Sequence, residues 1–110
     1  MYLTVGRTAA ATQTVLTVRG ELDIATVKTL RDQVDDVLAQ PPPRLVLDLS
    51  GTSFLDSKGC RELARAAKGG KAVGVDVVLV VPPENRPVRR IVDFMQFGAL
   101  LPVHDSLPTA

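Results

Sequence analysis

Apolar and polar residues recur along this chain with two different periods, so the pattern predicts strands and helices in alternation. Residues 2–7 and 15–20 alternate between apolar and polar, which is typical of two half-buried strands joined as a hairpin. Residues 45–49 and 76–81 are almost continuously apolar, as expected of central strands covered on both faces. A short strand near residues 101–103 completes the predicted sheet.

Three other segments carry apolar residues at the 3.6-residue spacing of an amphipathic helix. The first follows Asp23, whose carboxylate suits an N-cap, and its apolar stripe runs over residues 24–38. The second is predicted to begin near Ser57 and to stop around Gly69 and Gly70.

The third helix is expected to start at Asn85 or the residue after it, because Pro87 then lies in the first turn. Its predicted apolar face consists of Val88, Ile91, Val92 and Met95. Phe94 and Phe97 are expected to join Met95 in the core and at the helix end, and Gly98 is the expected residue just beyond the helix C-terminus.

The resulting order β-β-α-β-α-β-α-β predicts an α/β fold with a mixed sheet and helices packed on it. A length of 110 residues with 45% hydrophobic residues fits a single domain over residues 1–110 with one modest core. The formal net charge of +1 is too small to indicate nucleic acid or a membrane surface as a partner. No apolar run reaches the roughly 20 residues of a membrane span, so a cytoplasmic protein is expected.

Residues 45–63 combine a buried strand, a hydroxyl-rich turn and the start of the second helix. This arrangement places Ser57 and Lys58 in the first helical turn, where backbone N–H groups without intrahelical partners attract negatively charged groups. Asp56 precedes them and suits an N-cap worth about 1 kcal/mol. The segment is therefore the candidate for a binding surface.

Three segments make the chain similar to STAS domains, the modules of bacterial anti-sigma factor antagonists. They are Gly-Glu-Leu-Asp at 20–23, Leu-Asp-Leu-Ser-Gly-Thr-Ser-Phe-Leu-Asp-Ser-Lys-Gly at 47–59, and Phe97-Gly98 followed by Val-His-Asp-Ser at 103–106. The resemblance covers nearly the whole chain and implies a protein-binding module without a catalytic site. It also implies a partner, an anti-sigma factor that doubles as a serine kinase, whose capture by this protein would free a sigma factor.

The resemblance assigns partner binding to the surface around the second helix start, with the residues Asp23, Thr52, Ser53, Asp56, Ser57, Lys58 and Gly59. In the family, a serine or threonine between the Asp-Ser pair and the glycine is phosphorylated, and its phosphorylation breaks the complex. This chain has Lys58 at that position, and a lysine cannot form the phosphate ester. Binding is therefore expected to persist in the presence of the partner kinase and ATP.

Three hypotheses account for Lys58. In the first, it is an ordinary surface residue of a binding module without phosphorylation control. In the second, the phosphate is displaced to a neighbouring hydroxyl, with Ser57 the nearest candidate and Thr52 and Ser53 the others. In the third, Lys58 pairs with an acidic group of a particular partner and excludes ordinary kinases.

A STAS module that senses a nucleotide or small ligand, or that serves as an accessory subunit of a transporter, is the alternative function. Gly69-Gly70-Lys71 lacks the other residues of a phosphate-binding loop. His104 has no clustered ligand residues, so neither a metal nor a cofactor is expected. No set of acid, base and nucleophile indicates an enzyme. The pattern does not determine the oligomeric state.

Four further features carry expectations that the structure can test. Phe54 would be an anchor for a partner if it faces solvent. Arg86, Arg89 and Arg90 form a basic cluster, interpreted as a solvated face that can border the partner surface. Cys60 is expected to be a small core residue rather than a redox site. Asp48 is expected to take hydrogen bonds from the N–H groups of residues 51–53.

Overall fold

The computed structural model describes residues 2–109. In chain order its elements are β1 (Leu3–Ala9), β2 (Thr14–Leu22), α1 (Val27–Ala39), β3 (Arg44–Asp48), β4 (Thr52–Leu55), α2 (Ser57–Ala72), β5 (Asp76–Val80), α3 (Arg86–Phe94), a 3-10 turn (Phe97–Ala99) and β6 (Val103–His104). The predicted α/β class with a mixed sheet is confirmed. Among residues 2–109, no helix has both the length and the apolar character needed to cross a membrane.

The sheet has the order β1-β2-β3-β5-β6, and β4 pairs with β2 beside this path. The hairpin pair β1 and β2 is antiparallel, whereas every other pair is parallel. Strand β2 is long enough to pair twice along one edge, with β3 through Thr14 to Thr17 and with β4 through Gly20 to Leu22. The register shifts at Gly20, where φ is +105° and an added Cβ would collide with the carbonyl oxygen of Tyr2. Glycine is required there.

Strand β4 was not predicted, because the sequence pattern treats residues 50–56 as a turn. Only four residues form it, and two of them are polar. What makes them a strand is the far end of β2, which extends past the last residue of β3 and offers unpaired backbone groups. The observed order therefore contains one strand more than the predicted order.

The core lies mainly between the sheet and the helices. Its members include Leu16, Val18, Leu30, Val34, Leu47, Leu63, Leu79, Val88 and Val92. A smaller buried cluster, Val46, Val78 and Val80, consists of residues alternate to the main-core positions of β3 and β5. Because successive side chains of a strand point to opposite faces, these two clusters explain why both strands are continuously apolar.

The predicted start of α1 is wrong, because the helix begins at Val27 with Thr26 as N-cap. Asp23 is not the cap of the helix but the first residue of a preceding turn, and Ile24 is 68% exposed instead of joining the apolar stripe. The local spacing matches a helix, but the hydrogen bonds of the Asp23 turn hold residues 23–26 outside it.

The predicted end of α2 at the two glycines is also wrong, because the helix continues to Ala72. Gly70 is buried where an added Cβ would collide with the side chain of Val77, so it allows α2 to approach β5. Gly74, with φ +76°, follows the helix end, and the Val75 N–H donates to the Gly70 carbonyl at 2.8 Å. This glycine therefore takes the terminating role expected of Gly69 and Gly70.

At the end of α3, the left-handed position is occupied by Gln96 (φ 56°) rather than Gly98. The turn at Gln96 directs Phe97 into the core, where it is 5% exposed. It leaves Phe94 83% exposed and Met95 52% exposed, so the expectation that these two residues belong to the core is wrong. The spacing of apolar residues does not show where a helix ends, so it could not show that Phe94 and Met95 stay outside the core.

Candidate functional site

Three segments meet at the start of α2, and Asp56 holds them together. One oxygen of its carboxylate accepts the Gly59 N–H at 2.9 Å, which confirms the predicted N-cap. The other oxygen accepts the Ile24 N–H at 3.1 Å, from the loop between β2 and α1. The Asp56 N–H in turn donates to the carbonyl of Leu22 at 3.2 Å. One residue thus caps α2 and fixes the neighbouring loop against it.

Asp23 shapes that loop from inside. One oxygen of its carboxylate accepts the N–H groups of Ala25 at 2.8 Å and Thr26 at 3.1 Å. The Thr26 hydroxyl donates to the carbonyl of Glu21 at 2.6 Å. Asp23 is only 2% exposed, so it supports the loop and is covered by the protein itself. Asp23 lies near the Ser57 turn, because the N–H of the adjacent Ile24 donates to the Asp56 carboxylate.

Five exposed side chains lie at this junction, in the loop before α1, in β4 and in the first turn of α2, and we call them together the α2-start surface: Ile24, Ser53, Phe54, Ser57 and Lys58. Ile24 is 68% exposed and Phe54 is 44% exposed. Two apolar side chains and one ammonium group therefore face solvent from a frame fixed by Asp56. Sequence reasoning missed Ile24, because its place in the helical stripe suggested burial.

Besides Asp23, two more of the predicted partner-binding residues are buried beneath this surface. Thr52 is 2% exposed and donates its hydroxyl proton to the carbonyl of Val18 at 2.8 Å. Gly59 is buried because α2 lies close to β2 and β4. Gly59 thus allows α2 to lie close to β2 and β4 of the same chain. Thr52 and Gly59 both act by supporting the surface.

We predict that Gly59→Ala destabilises the protein by about 1–3 kcal/mol, the range typical of overpacking. The added Cβ would lie 2.7 Å from both the Leu22 carbonyl oxygen and a methyl group of Leu55. Urea unfolding followed by circular dichroism measures the change. Gly98→Ala is the matched control, since an added Cβ there has no neighbour within 4 Å. Equal stability of the two variants would contradict the tight packing at Gly59.

The electrostatics of the α2 start disfavour a phosphate ligand. An N-terminal helix turn attracts anions, but here the Asp56 carboxylate already accepts the Gly59 N–H and supplies the negative charge. A nucleotide phosphate would have to approach that carboxylate. The geometry therefore gives no support to the alternative of a nucleotide-sensing module.

Cys60 lies one turn into α2 and is 5% exposed, in agreement with its predicted place in the core. Burial raises the pKa of its thiol, and the negative charge of Asp56 raises this pKa further. Because the thiolate is the reactive form, both effects oppose redox chemistry at neutral pH.

The turn after β3 is stabilised differently from the prediction. Asp48 accepts hydrogen bonds from the N–H (3.0 Å) and hydroxyl (2.6 Å) of Ser50, not from residues 51–53. The Asn85 side-chain amide donates to the carbonyls of Leu49 (2.9 Å) and Thr52 (2.8 Å). Asn85 therefore connects the start of α3 to the start of β4. Its sequence position beside a helix start does not predict this role.

The basic cluster at α3 is divided by the structure. Arg89 donates to the Val81 carbonyl and to Asp105, both at 2.8 Å, and it also pairs with Asp93. The bond to Asp105 raises the pKa of Arg89. Arg86 and Arg90 are exposed. The interpretation of all three as a solvated face is therefore wrong for Arg89, which anchors the segment after β6.

Known proteins resemble this chain in family pattern, sequence and fold. The family model described as STAS domain matches residues 4–110. Anti-sigma-F factor antagonist RsfB of Mycobacterium tuberculosis is 34% identical over 94 residues, 84% of this chain and 77% of RsfB. The crystal structure of an anti-sigma factor antagonist from Mycobacterium paratuberculosis has a TM-score of 0.82 and 31% identity, covering 96% of this chain and 88% of that chain. The unphosphorylated anti-sigma factor antagonist SpoIIAA, from Bacillus, shares the fold with a TM-score of 0.72 and 21% identity, covering 96% and 90%.

Proposed function

This chain belongs to the STAS domain family, and we propose that it acts as an anti-sigma factor antagonist whose α2-start surface binds an anti-sigma factor. RsfB, a relative 34% identical across 84% of the chain, carries the name of such an antagonist. Binding would occupy the anti-sigma factor and free the sigma factor that it holds inactive. The proposed site of action is the cytoplasm.

The observation that carries this proposal is the exposed apolar pair on the α2-start surface. Phe54 and Ile24 face solvent at 44% and 68%, while the backbone beneath them is fixed by Asp56 and Asp23. Aromatic side chains held on a rigid frame contribute strongly to protein interfaces, because little conformational entropy is lost on binding. Such a surface suits a protein partner better than a small molecule.

We further propose that the partner is of the serine-kinase type and that Lys58 makes this antagonist resistant to it. The ammonium group occupies the position at which the resemblance to STAS domains implies a phosphorylatable hydroxyl. Thr52 is an unsuitable substitute, because its hydroxyl is buried and bonded to Val18. Ser57 and Ser53 are exposed, so they are the hydroxyls at which displaced phosphorylation has to be tested.

Of the three hypotheses for Lys58, we favour partner selection. Lys58 projects from the first turn of α2, where a positive charge is mildly unfavourable beside the helix dipole. It lies two residues after Asp56, whose two carboxylate oxygens accept the N–H groups of Gly59 and Ile24. The exposed ammonium group is therefore available to a carboxylate of the anti-sigma factor.

We predict that Phe54→Ala weakens binding to the anti-sigma factor about tenfold or more, as expected for the loss of an aromatic anchor. The test uses the anti-sigma factors encoded in the same genome, with Kd measured by calorimetry and sigma factor release followed by gel filtration. Val73→Ala is the matched control, because Val73 is 48% exposed at the opposite end of α2.

Failure of every encoded anti-sigma factor to bind the wild-type protein would refute the proposed function. Binding that is equally tight for Phe54→Ala and wild type would leave the function intact but remove the α2-start surface as its site.

A further inference from the structure

Helix α3 presents an outer face that ends in exposed apolar side chains. Phe94 is 83% exposed, Met95 is 52% exposed, and Leu100 after the following turn is 43% exposed. The left-handed backbone of Gln96 separates Phe94 and Met95 from Phe97, which is buried. A non-glycine residue in this conformation has an energetic cost, and at this turn Phe97 enters the core while Phe94 and Met95 stay outside it.

The same face carries positive charge that the chain does not neutralise. Arg90 precedes Phe94 by one helical turn, and Arg86 precedes Arg90 by another. Arg89 is paired with Asp93 and Asp105. Within residues 2–109, neither Arg86 nor Arg90 forms an ion pair. Arg86, Arg90 and Phe94 thus form a stripe along the helix, and the exposed Met95 follows Phe94.

This stripe begins beside the proposed binding site. The side chain of Asn85 holds the first turn of α3 against the start of β4, the strand that carries Phe54. From Arg86, the face extends roughly 12 Å to Phe94 at 1.5 Å per residue.

We propose that this stripe, the α3 face (Arg86, Arg90, Phe94 and the adjoining Met95), is a second part of the interface and binds a segment of the anti-sigma factor that carries carboxylates next to apolar side chains. The inference rests on the proposed function. Charge complementarity selects this occupant, because the unpaired guanidinium groups favour acidic groups.

Charge also argues against the other occupants of such a face. A symmetric contact with a second copy of this chain would bring the same arginine-bearing face of each copy together, and like charges would oppose it. A membrane surface would attract the face only weakly, because two uncompensated arginines supply little of the charge that stable attachment needs.

The test measures the affinity of the full chain for the anti-sigma factor in two variants, Arg90→Glu and Phe94→Ser. We expect Kd to rise about tenfold or more in each variant, as for a hot-spot residue. For Arg90→Glu, Kd should also depend less on salt concentration than it does for the wild type. The controls are Lys68→Glu and Val73→Ser, which alter exposed residues on the far part of α2 and should leave Kd within about twofold. Thermal unfolding establishes that each variant is folded.

Wild-type affinity in both folded variants would refute the α3 face as part of the interface while leaving the proposed function in place. A wild-type dimer that Phe94→Ser dissolves without changing Kd would overturn it in favour of self-association. Sedimentation of the wild type with anionic vesicles, lost in Arg90→Glu without a change in Kd, would overturn it in favour of a membrane. If the wild type binds no anti-sigma factor, the proposed function itself fails.

Discussion

Glu62→Ala is expected to destabilise the protein by about 3 kcal/mol, at the lower end of the cost of breaking a buried ion pair. The Glu62 side chain on α2 is fully buried, although it ends in a carboxylate. It accepts bonds from Arg31 of α1 at 3.2 Å and from two nitrogens of Arg65 at 2.9 and 2.8 Å. Arg65 also reaches Asp35 of α1 at 2.9 Å. The four side chains connect α1 to α2.

The expected loss has two sources. Alanine leaves a cavity where the longer side chain packed, and it removes three charge-assisted hydrogen bonds. The arginines are 50% and 40% exposed, so they can regain water, which keeps the loss at the lower end of the range. The bonds with Glu62 raise the pKa of Arg65.

Urea unfolding of Glu62→Ala, with Asp35→Ala as the control, measures this effect. Asp35 belongs to the same network but is 56% exposed, so its removal should cost about 1 kcal/mol or less. Glu62→Leu adds a second comparison, because an apolar residue of similar volume can match a buried ion pair in stability. A loss below 1 kcal/mol for Glu62→Ala would show that the network contributes little to the packing of α1 against α2.

Lys58→Ser is expected to convert an ATP-insensitive complex into one that ATP disrupts. With the wild-type protein, the Kd for the anti-sigma factor should stay within about twofold when ATP is added, because position 58 offers no hydroxyl. In Lys58→Ser, phosphorylation would add −1.5 to −2 charge in the first turn of α2. That charge would lie two residues from the Asp56 carboxylate and inside the proposed interface. We expect an increase in Kd of roughly 10- to 100-fold, or about 1.4–2.8 kcal/mol.

The experiment combines phosphate mapping by mass spectrometry with Kd measurement before and after ATP treatment. Lys58→Ala is the matched control, since it removes the ammonium group without supplying a hydroxyl, and any loss of affinity in it measures the charge pairing that we propose. Ser57→Ala in the wild-type background tests displaced phosphorylation. Phosphate on wild-type Ser57 together with release by ATP would contradict resistance through Lys58. A phosphorylated Lys58→Ser that still binds tightly would contradict the expected disruption.

Local sequence signals were sufficient for the features that depend on neighbouring residues. The periods of apolar residues predicted the type and approximate position of all three helices and of five strands. The cap at Asp56 was predicted because this carboxylate precedes a helix start whose N–H groups lack intrahelical partners, and its bond to the Gly59 N–H confirms it. The resemblance to STAS domains was likewise carried by short motifs, and the family match over residues 4–110 confirms it.

Features that depend on distant partners were decided only by the tertiary structure. Residues 52–55 become β4 because the end of β2 lies beside them, and Gly70 permits the approach of Val77 rather than ending α2. Burial of Thr52 and Gly59, exposure of Ile24 and the partners of Glu62 follow from packing between elements far apart in sequence. Local sequence signals alone thus determined the three helices, every strand except β4, the family and the absence of a hydroxyl at position 58. Only packing determined which motif side chains face solvent and which are buried beneath them, because that depends on contacts that no local pattern encodes.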